Sequence, residues 1–355
     1  MKGKLRWLMV LLSLSLLPNS LTAGEIKMSY KKPYVTADVT TYECLYDIRI
    51  NDGFVQTDRS LWGDTSGIPV NEWLQPGENE LSLHIKPFDA PFYDSYYGKK
   101  EEENTRRLEE AKACNVMVTL KVHESGNMSN RESLLTVSYQ HDYKGLQPEL
   151  SIERTELSNS SASGRYVYSK TESVMPAEGQ SDLIVGDIEI SRTDKGGVLI
   201  KRRFSMDLPF PRWRYLDADL IENTPEIKRS LYDEYVKLEQ MLNSGKFDQL
   251  SRLFSERKEE MNIAYYSDGS KETDMGKVFA RVMNNPNLKL YPTKPEEYEE
   301  ILGYSKLVIY GHRKLAKITT WDDDDFIGFN YTDGGGSSTY GVTFARKNGK
   351  WYIAR

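Results

Sequence analysis

The stretch Val70–Ile85, VNEWLQPGENELSLHI, decides the fold of the first half of this chain. Pro76-Gly77 predicts a type II turn, because proline fixes φ at the second turn position and glycine accepts a positive φ at the third. Directly after it Leu81, Leu83 and Ile85 alternate with Glu80, Ser82 and His84. A period of two marks a strand with one buried and one wet face. Upstream, Ile48 and Ile50 keep the same phase and run into an Asn51-Asp52-Gly53 turn.

Working outward, further strands are expected at 43–50, 80–86, 115–123, 133–141, 149–156, 164–170, 182–192 and 197–206. Turn clusters such as Gly126-Asn127, Lys144-Gly145 and Lys195-Gly196-Gly197 separate them. Short strands at this spacing predict a two-sheet sandwich over residues 25–212. The Ile48–Ile85 segment resembles the N-G … W-L-x-P-G-x-N-x-L-x-V stretch of galactose-binding-like jelly rolls and related sandwiches. That resemblance implies an architecture, an antiparallel jelly-roll-like sandwich, and no particular reaction.

One insertion breaks the β rhythm. Lys99 to Ala113, KKEEENTRRLEEAKA, is built of helix formers with opposite charges four apart, as in Glu102/Arg106 and Glu103/Arg107. Only Leu108 and Ala111 offer an apolar face, so a solvated rim helix is expected. Before it, Phe88 to Gly98 gathers Phe88, Phe92, Tyr93, Tyr96 and Tyr97 with Asp89 and Asp94 in one loop. Such a loop either closes one end of the sandwich or presents stacking faces beside carboxylates. In the second case Trp62, Trp73, Phe92, Tyr93, Tyr96 and Tyr97 supply aromatic faces for a glycan, and Asp94 holds hydroxyls.

The chain opens with Lys2, Lys4 and Arg6, an apolar run from Trp7 to Leu17, and small residues ending in Thr22-Ala23-Gly24. This reads as a secretory signal peptide over 1–24. The run is shorter than the roughly 20 residues that span a bilayer, and no later segment is apolar enough to cross one. A soluble periplasmic or secreted protein is therefore expected. Removing Lys2, Lys4 and Arg6 takes the formal charge from −6 to −9. No basic stripe for nucleic acid is present, and an acidic surface favours a basic partner. Cys44 is in phase with Tyr46, Ile48 and Ile50, and Cys114 with Val116, Val118, Leu120 and Val122. In an oxidising compartment two inward cysteines of one sandwich form a bridge; otherwise they fill the core as thiols.

After the proline-marked connector Leu208–Trp213 the period changes to about 3.6 residues. Thr224 and Pro225 open a helix whose apolar face is Ile227, Leu231, Tyr235, Leu238 and Leu242, closed by Asn243-Ser244-Gly245. A second helix carries Phe247, Leu250, Phe254 and Met261, and a third Met275, Phe279 and Val282. Strands follow at 305–310, 313–321, 326–332, 339–347 and 350–354, with Asn348-Gly349 predicting a type I′ hairpin. Helices followed by a meander ending in Gly349-Lys-Trp-Tyr-Ile353 resemble the nuclear-transport-factor-like cone, which implies a curved sheet over helices across 213–355. An α+β sandwich of other topology fits the same pattern. The fold class is thus α+β in two domains.

Catalytic and metal constellations are missing from the pattern. His84, His123, His141 and His312 are scattered, without a zinc helix or a cysteine pair of metal spacing. No serine sits in a nucleophile elbow. Asp333-Gly-Gly-Gly-Ser-Ser338 lacks the lysine and the helix of a phosphate cradle. Asp322–Asp325 suits a solvated hairpin tip better than a calcium loop, whose carboxylates alternate; an acidic bait for a basic partner is the third reading. Neither a cofactor nor a metal is expected. The sequence therefore points to an exported, non-enzymatic binding protein with a protein partner, inhibitor- or immunity-like, and secondly to a carbohydrate binder.

Overall fold

The computed structural model describes residues 25–26, 30–58, 63–85, 113–142, 149–154, 168–170, 182–185, 187–192, 197–267, 274–290, 292–320, 324–332 and 337–355. The expected leader, the 88–98 loop and the charged helix lie outside these, apart from Ala113, which opens a strand. The first part comprises β1 (Glu25–Ile26), β2 (Pro33–Tyr42), β3 (Tyr46–Ile50), β4 (Gly53–Asp58), β5 (Asp64–Pro69), β6 (Gly77–Ile85) and β7 (Ala113–Glu124). It continues with β8 (Glu132–Asp142), β9 (Glu149–Arg154), β10 (Tyr168–Lys170), β11 (Asp182–Val185), β12 (Ile188–Arg192) and β13 (Val198–Met206).

Two sheets result, in the orders β11-β12-β13-β6-β3-β4, with β1 beside β13, and β10-β9-β8-β7-β2-β5. Every pairing within them is antiparallel except β1 with β13. The alternation explains how they stack. Leu81, Leu83 and Ile85 of β6 and Ile200 of β13 face Val35, Ala37 and Val39 of β2 and Val116, Val118 and Leu120 of β7 in one core. Each such side chain contributes roughly 1.5–3 kcal/mol of burial. One charged group is drawn inside as well. Arg202 donates to the Asp187 carboxylate at 3.1 Å and, across the sandwich, to the Thr136 carbonyl at 2.7 Å.

The motif stretch is a lattice of buried asparagines. Asn51 and Asp52 both have positive φ (51° and 60°), the type I′ geometry that joins β3 to β4. Asn51 donates through Nδ2 to the Trp73 carbonyl and to Asn79 Oδ1, each at 2.8 Å, and its own Oδ1 accepts from Glu80 N–H at 2.9 Å. Asn79 in turn bonds the Gln75 and Gly77 carbonyls across the Pro76-Gly77 turn, where Gly77 has φ 85°. Gly53 is required by a close approach: a Cβ there would stand 2.2 Å from Trp73 Cε3.

β2 was outside the expected strand set, as were β4 and β5. Its inward residues are Val35, Ala37, Val39 and Thr41, and its outward ones Thr36, Asp38 and Thr40, so its apolar face is short and made of small side chains. β2 nonetheless pairs with both β5 and β7. The strand expected over 182–192 is a hairpin, β11–β12, turning around Asp187.

The second part contains α1 (Pro225–Asn243), α2 (Phe247–Leu253), α3 (Ser255–Tyr265), α4 (Met275–Met283) and α5 (Tyr298–Tyr304). Its strands are β14 (Leu288–Leu290), β15 (Lys306–Tyr310), β16 (Leu315–Thr319), β17 (Ile327–Tyr331), β18 (Ser337–Tyr340), β19 (Phe344–Lys347) and β20 (Lys350–Ile353). Thr224 caps α1 by accepting from Ile227 N–H at 3.3 Å, as the sequence predicts. The single second helix is divided at Phe254 into α2 and α3. α4 lies so close to α2 that a Cβ on Gly276 would stand 2.4 Å from the Phe247 carbonyl oxygen.

Instead of one curved sheet there are two, β14-β17-β18 and β15-β16-β19-β20. The strand expected over 339–347 changes sheet at residues 341–343, where β18 ends and β19 begins. Asn348 and Gly349 adopt φ 52° and 76° in the β19–β20 hairpin, as expected.

The connector at 208–213 is not a solvent-spanning link. Leu208, Phe210 and Trp213 are buried in the sandwich core, which extends on to Ala264, Tyr310, Leu315, Ala345 and Ala354. A second core forms around Leu231, Tyr235, Phe279, Phe329 and Phe344.

Candidate functional site

Among the residues expected to bind a glycan, Trp62, Phe92, Tyr93, Asp94, Tyr96 and Tyr97 lie outside the described residues. Trp73 is described and is 7% exposed. Its ring meets Gly53 and, edge-on, Tyr215 and Tyr310 at centroid distances of 6.5 and 6.3 Å. Cys44 and Cys114 form the expected disulfide, with Cα atoms 4.8 Å apart and both residues 1% exposed. It ties the crossover between β2 and β3 to the start of β7.

The other sequence candidates take structural roles where they are described. Asp325 pairs with Lys317 Nζ at 2.8 Å; Asp322, Asp323 and Asp333–Gly336 fall outside the described residues. His123 is buried, donates from Nδ1 to the Tyr34 carbonyl at 3.1 Å, and is held below its usual pKa first by burial and then by Arg131. His84 is half-buried on the outer face of β6. His312 N–H donates to Asp52 Oδ2 at 2.9 Å. Among the described residues no group of three or more His, Cys, Asp or Glu side chains is placed to hold a metal. No helix among them is long and apolar enough to cross a membrane.

The most highly organised polar centre is the junction between the sandwich and the helical part, and sequence reasoning missed it. Three features of the sandwich reach across. The short helical turn Asn71–Trp73 places Asn71 so that its Oδ1 accepts from Val35 N–H at 2.7 Å. Its Nδ2 donates to Pro33 O at 3.0 Å and to Ala264 O, at the end of α3, at 2.6 Å. Trp213 Nε1 donates to the Leu74 carbonyl at 2.6 Å. The Asn51-Asp52 turn takes the β15–β16 turn, with Gly311 N–H on Asp52 O at 3.1 Å.

At the centre lies Arg355. Its guanidinium carbon stands 4.7, 5.4 and 5.8 Å from the ring centroids of Tyr215, Trp213 and Trp73. Delocalised and weakly hydrated, guanidinium is the cation best suited to such an aromatic cage. Nη1 forms a close ion pair with the Glu260 carboxylate of α3, and Nη2 donates to the Glu72 carbonyl at 3.4 Å. Glu260 also accepts from Arg214 N–H at 2.6 Å. Burial raises the Tyr215 hydroxyl to a pKa of about 12, so that ring stays neutral beneath the cation.

Glu72 completes the centre. Its Oε2 is closed off from solvent and has no hydrogen-bond partner among the described residues. Burial raises its pKa to about 7, against the lowering influence of its own backbone N–H, Arg355 and Arg257. Arg257, on α3, is itself lowered by burial. Through the Glu72 and Trp73 contacts of Arg355, the buried Arg355–Glu260 pair ties the two parts of the chain together at this point.

Elsewhere, aromatic rings pack against one another in the interior of the helical part. Tyr235 lies 5.2 Å from Phe344 and 5.4 Å from Phe326, and Tyr340 lies 5.3 Å from Phe279 and 5.6 Å from Phe329. Glu239 of α1 is 3% exposed, accepts from Thr293 N–H at 3.0 Å, and is raised by burial to a pKa of about 7. Compared with protein-family models, curated proteins and solved structures, the chain gives no match.

Proposed function

We propose that this chain is an exported, non-catalytic binding protein of the bacterial envelope whose ligand is another protein, in the manner of an inhibitor or immunity factor. The observation that carries the reading is the aromatic packing of α1 and α4 against the sheets at Tyr235, Phe326, Phe344, Phe279 and Tyr340. A small-molecule enzyme on helices and sheet needs a concave, partly apolar space with convergent polar groups. Rings in edge contact at packing distance occupy part of such a space here, which supports a role for the outer surface. The buried Cys44–Cys114 bridge supports an oxidising compartment. A formal charge of −9 after loss of Lys2, Lys4 and Arg6 suits a basic protein face. A jelly-roll-like sandwich and a helical part packed on two small sheets fit the same reading, as scaffolds that present loops.

The test begins with immobilised mature protein, an envelope extract and low ionic strength. A captured protein is purified and titrated against the chain at rising salt. A saturable complex that weakens as salt screens the charges supports the proposal. Retention on a glycan array, abolished by Tyr96→Ala/Tyr97→Ala and unaccompanied by any protein complex, replaces it with the carbohydrate reading.

A further inference from the structure

We propose that the cage of Trp73, Trp213, Tyr215 and Glu260 is a preformed binding site for an alkylguanidinium, with Arg355 as its tethered ligand. The inference goes beyond the protein-binding reading and holds whichever molecule the outer surface takes. It rests on two features of the junction. The walls stand without Arg355, and their chemistry selects a guanidinium.

Each wall is fixed by contacts in which Arg355 has no part. Trp213 donates from Nε1 to the Leu74 carbonyl at 2.6 Å and packs on Phe210 at a centroid distance of 5.6 Å. Trp73 N–H donates to the Val70 carbonyl at 3.0 Å, and the Trp73 carbonyl accepts from Asn51 Nδ2 at 2.8 Å. The bare backbone of Gly53 lies against the Trp73 ring. Tyr215 meets that ring edge-on, with 6.5 Å between centroids. Glu260 Oε1 accepts from Arg214 N–H at 2.6 Å, which leaves Oε2 for the ligand. Cutting back the Arg355 side chain therefore removes the ligand and keeps the walls. A site organised in advance loses little freedom when it fills.

Selection follows from what the walls offer. Three rings stand 4.7, 5.4 and 5.8 Å from the guanidinium carbon. Nη1 reaches Glu260 Oε2 and the Ala354 carbonyl, the latter at 2.8 Å, while Nη2 reaches the Glu72 carbonyl at 3.4 Å. A planar ion can lie against the rings and serve separated acceptors with different nitrogens. An ammonium has a single nitrogen and holds its water more tightly, so it gives up more hydration for fewer bonds. The tether keeps Arg355 at an effective concentration on the order of millimolar or above. Free ligand at low millimolar concentration should therefore leave the wild-type site unchanged.

The test is side-chain rescue in the full mature chain. Arg355→Ala should bind ethylguanidinium, read by tryptophan emission because Trp73 and Trp213 form the walls. At about ten times the dissociation constant its melting temperature should rise by about 3 °C. Ethylammonium at the same concentration should give no such rise, and neither should ethylguanidinium on wild type or on Arg355→Ala/Glu260→Gln. If Arg355→Ala does not fold alone, its refolded yield in ethylguanidinium against ethylammonium replaces the melting temperature. Arg355→Lys keeps the charge but should stay destabilised. An equal response to ethylammonium, an equal rise in wild type, or a rise undiminished by Glu260→Gln overturns the proposal. So does the lack of any response to ethylguanidinium in folded or refolding Arg355→Ala, or a fully stable Arg355→Lys.

Discussion

Removing the Cys44–Cys114 bridge by the double change Cys44→Ala/Cys114→Ala tests the tie between the two sheets. The bridge closes a loop with a sequence separation of 70 residues. Chain entropy assigns such a loop about 4 kcal/mol, which the unfolded chain regains when the bond is absent. Each cysteine is 1% exposed in the sandwich core, so the two lost sulfurs add about 1 kcal/mol of unfilled volume. The expected loss is therefore about 5 kcal/mol. Urea unfolding followed by tryptophan emission is the assay, because Trp73 and Trp213 lie in the core at the junction. With a slope of about 3 kcal/mol per molar urea, the midpoint should fall by about 1.7 M. Wild type unfolded under reductant and refolded in its presence should show most of the same shift. Two thiols titrating in unreduced, denatured protein, or a midpoint moved by less than about 0.3 M, would refute the reasoning.

Arg355→Met leaves Glu260 buried without its cation and should cost about 3–5 kcal/mol, whereas adding Glu260→Gln should recover a large part; a double-mutant cycle by chemical denaturation measures the coupling. Gly53→Ala places a Cβ 2.2 Å from Trp73 Cε3, so the indole must shift; a loss of about 2 kcal/mol and a changed tryptophan emission are expected. Glu239 has its folded pKa raised to about 7, so the stability it confers is complete below about 4.5 and is lost as pH rises through about 7. Glu239→Gln should flatten the melting-temperature profile in that window and raise the melting temperature above it; an unchanged profile counts against a buried neutral carboxyl.

Strong local rules made part of this fold legible in advance. Pro76-Gly77, Asn348-Gly349 and the Thr224-Pro225 start each specify a backbone geometry within a few residues, and each is found. The phase of Cys44 and Cys114 placed both on an inner face, and the bridge formed. Where the period is weak, prediction failed. β2 reads VTADVTT, whose inward face of Val35, Ala37 and Val39 is small and runs into Thr41, yet it pairs with β5 and β7 and joins their core. The switch of sheet at 341–343 breaks no hydrophobic period at all, since Tyr340, Val342 and Phe344 stay in one core on either side of it.

The junction was illegible for a different reason. Glu72 and Arg355 stand 283 positions apart, and Asn71 and Ala264 stand 193 apart. No spacing rule links such positions, and in isolation each looks like an ordinary surface charge or turn residue. The asparagines of the motif show how a local pattern comes to serve a distant contact. Asn51 and Asn79 use their side-chain amides to satisfy turn backbone inside the sandwich, while Asn71 spends one amide hydrogen on Pro33 and the other on α3. Replacing Asn71 by an apolar residue would orphan Val35 N–H and two carbonyls at once, a cost far above that of an ordinary surface turn. The same stretch that decides the sandwich thus also fixes where the helical part must sit.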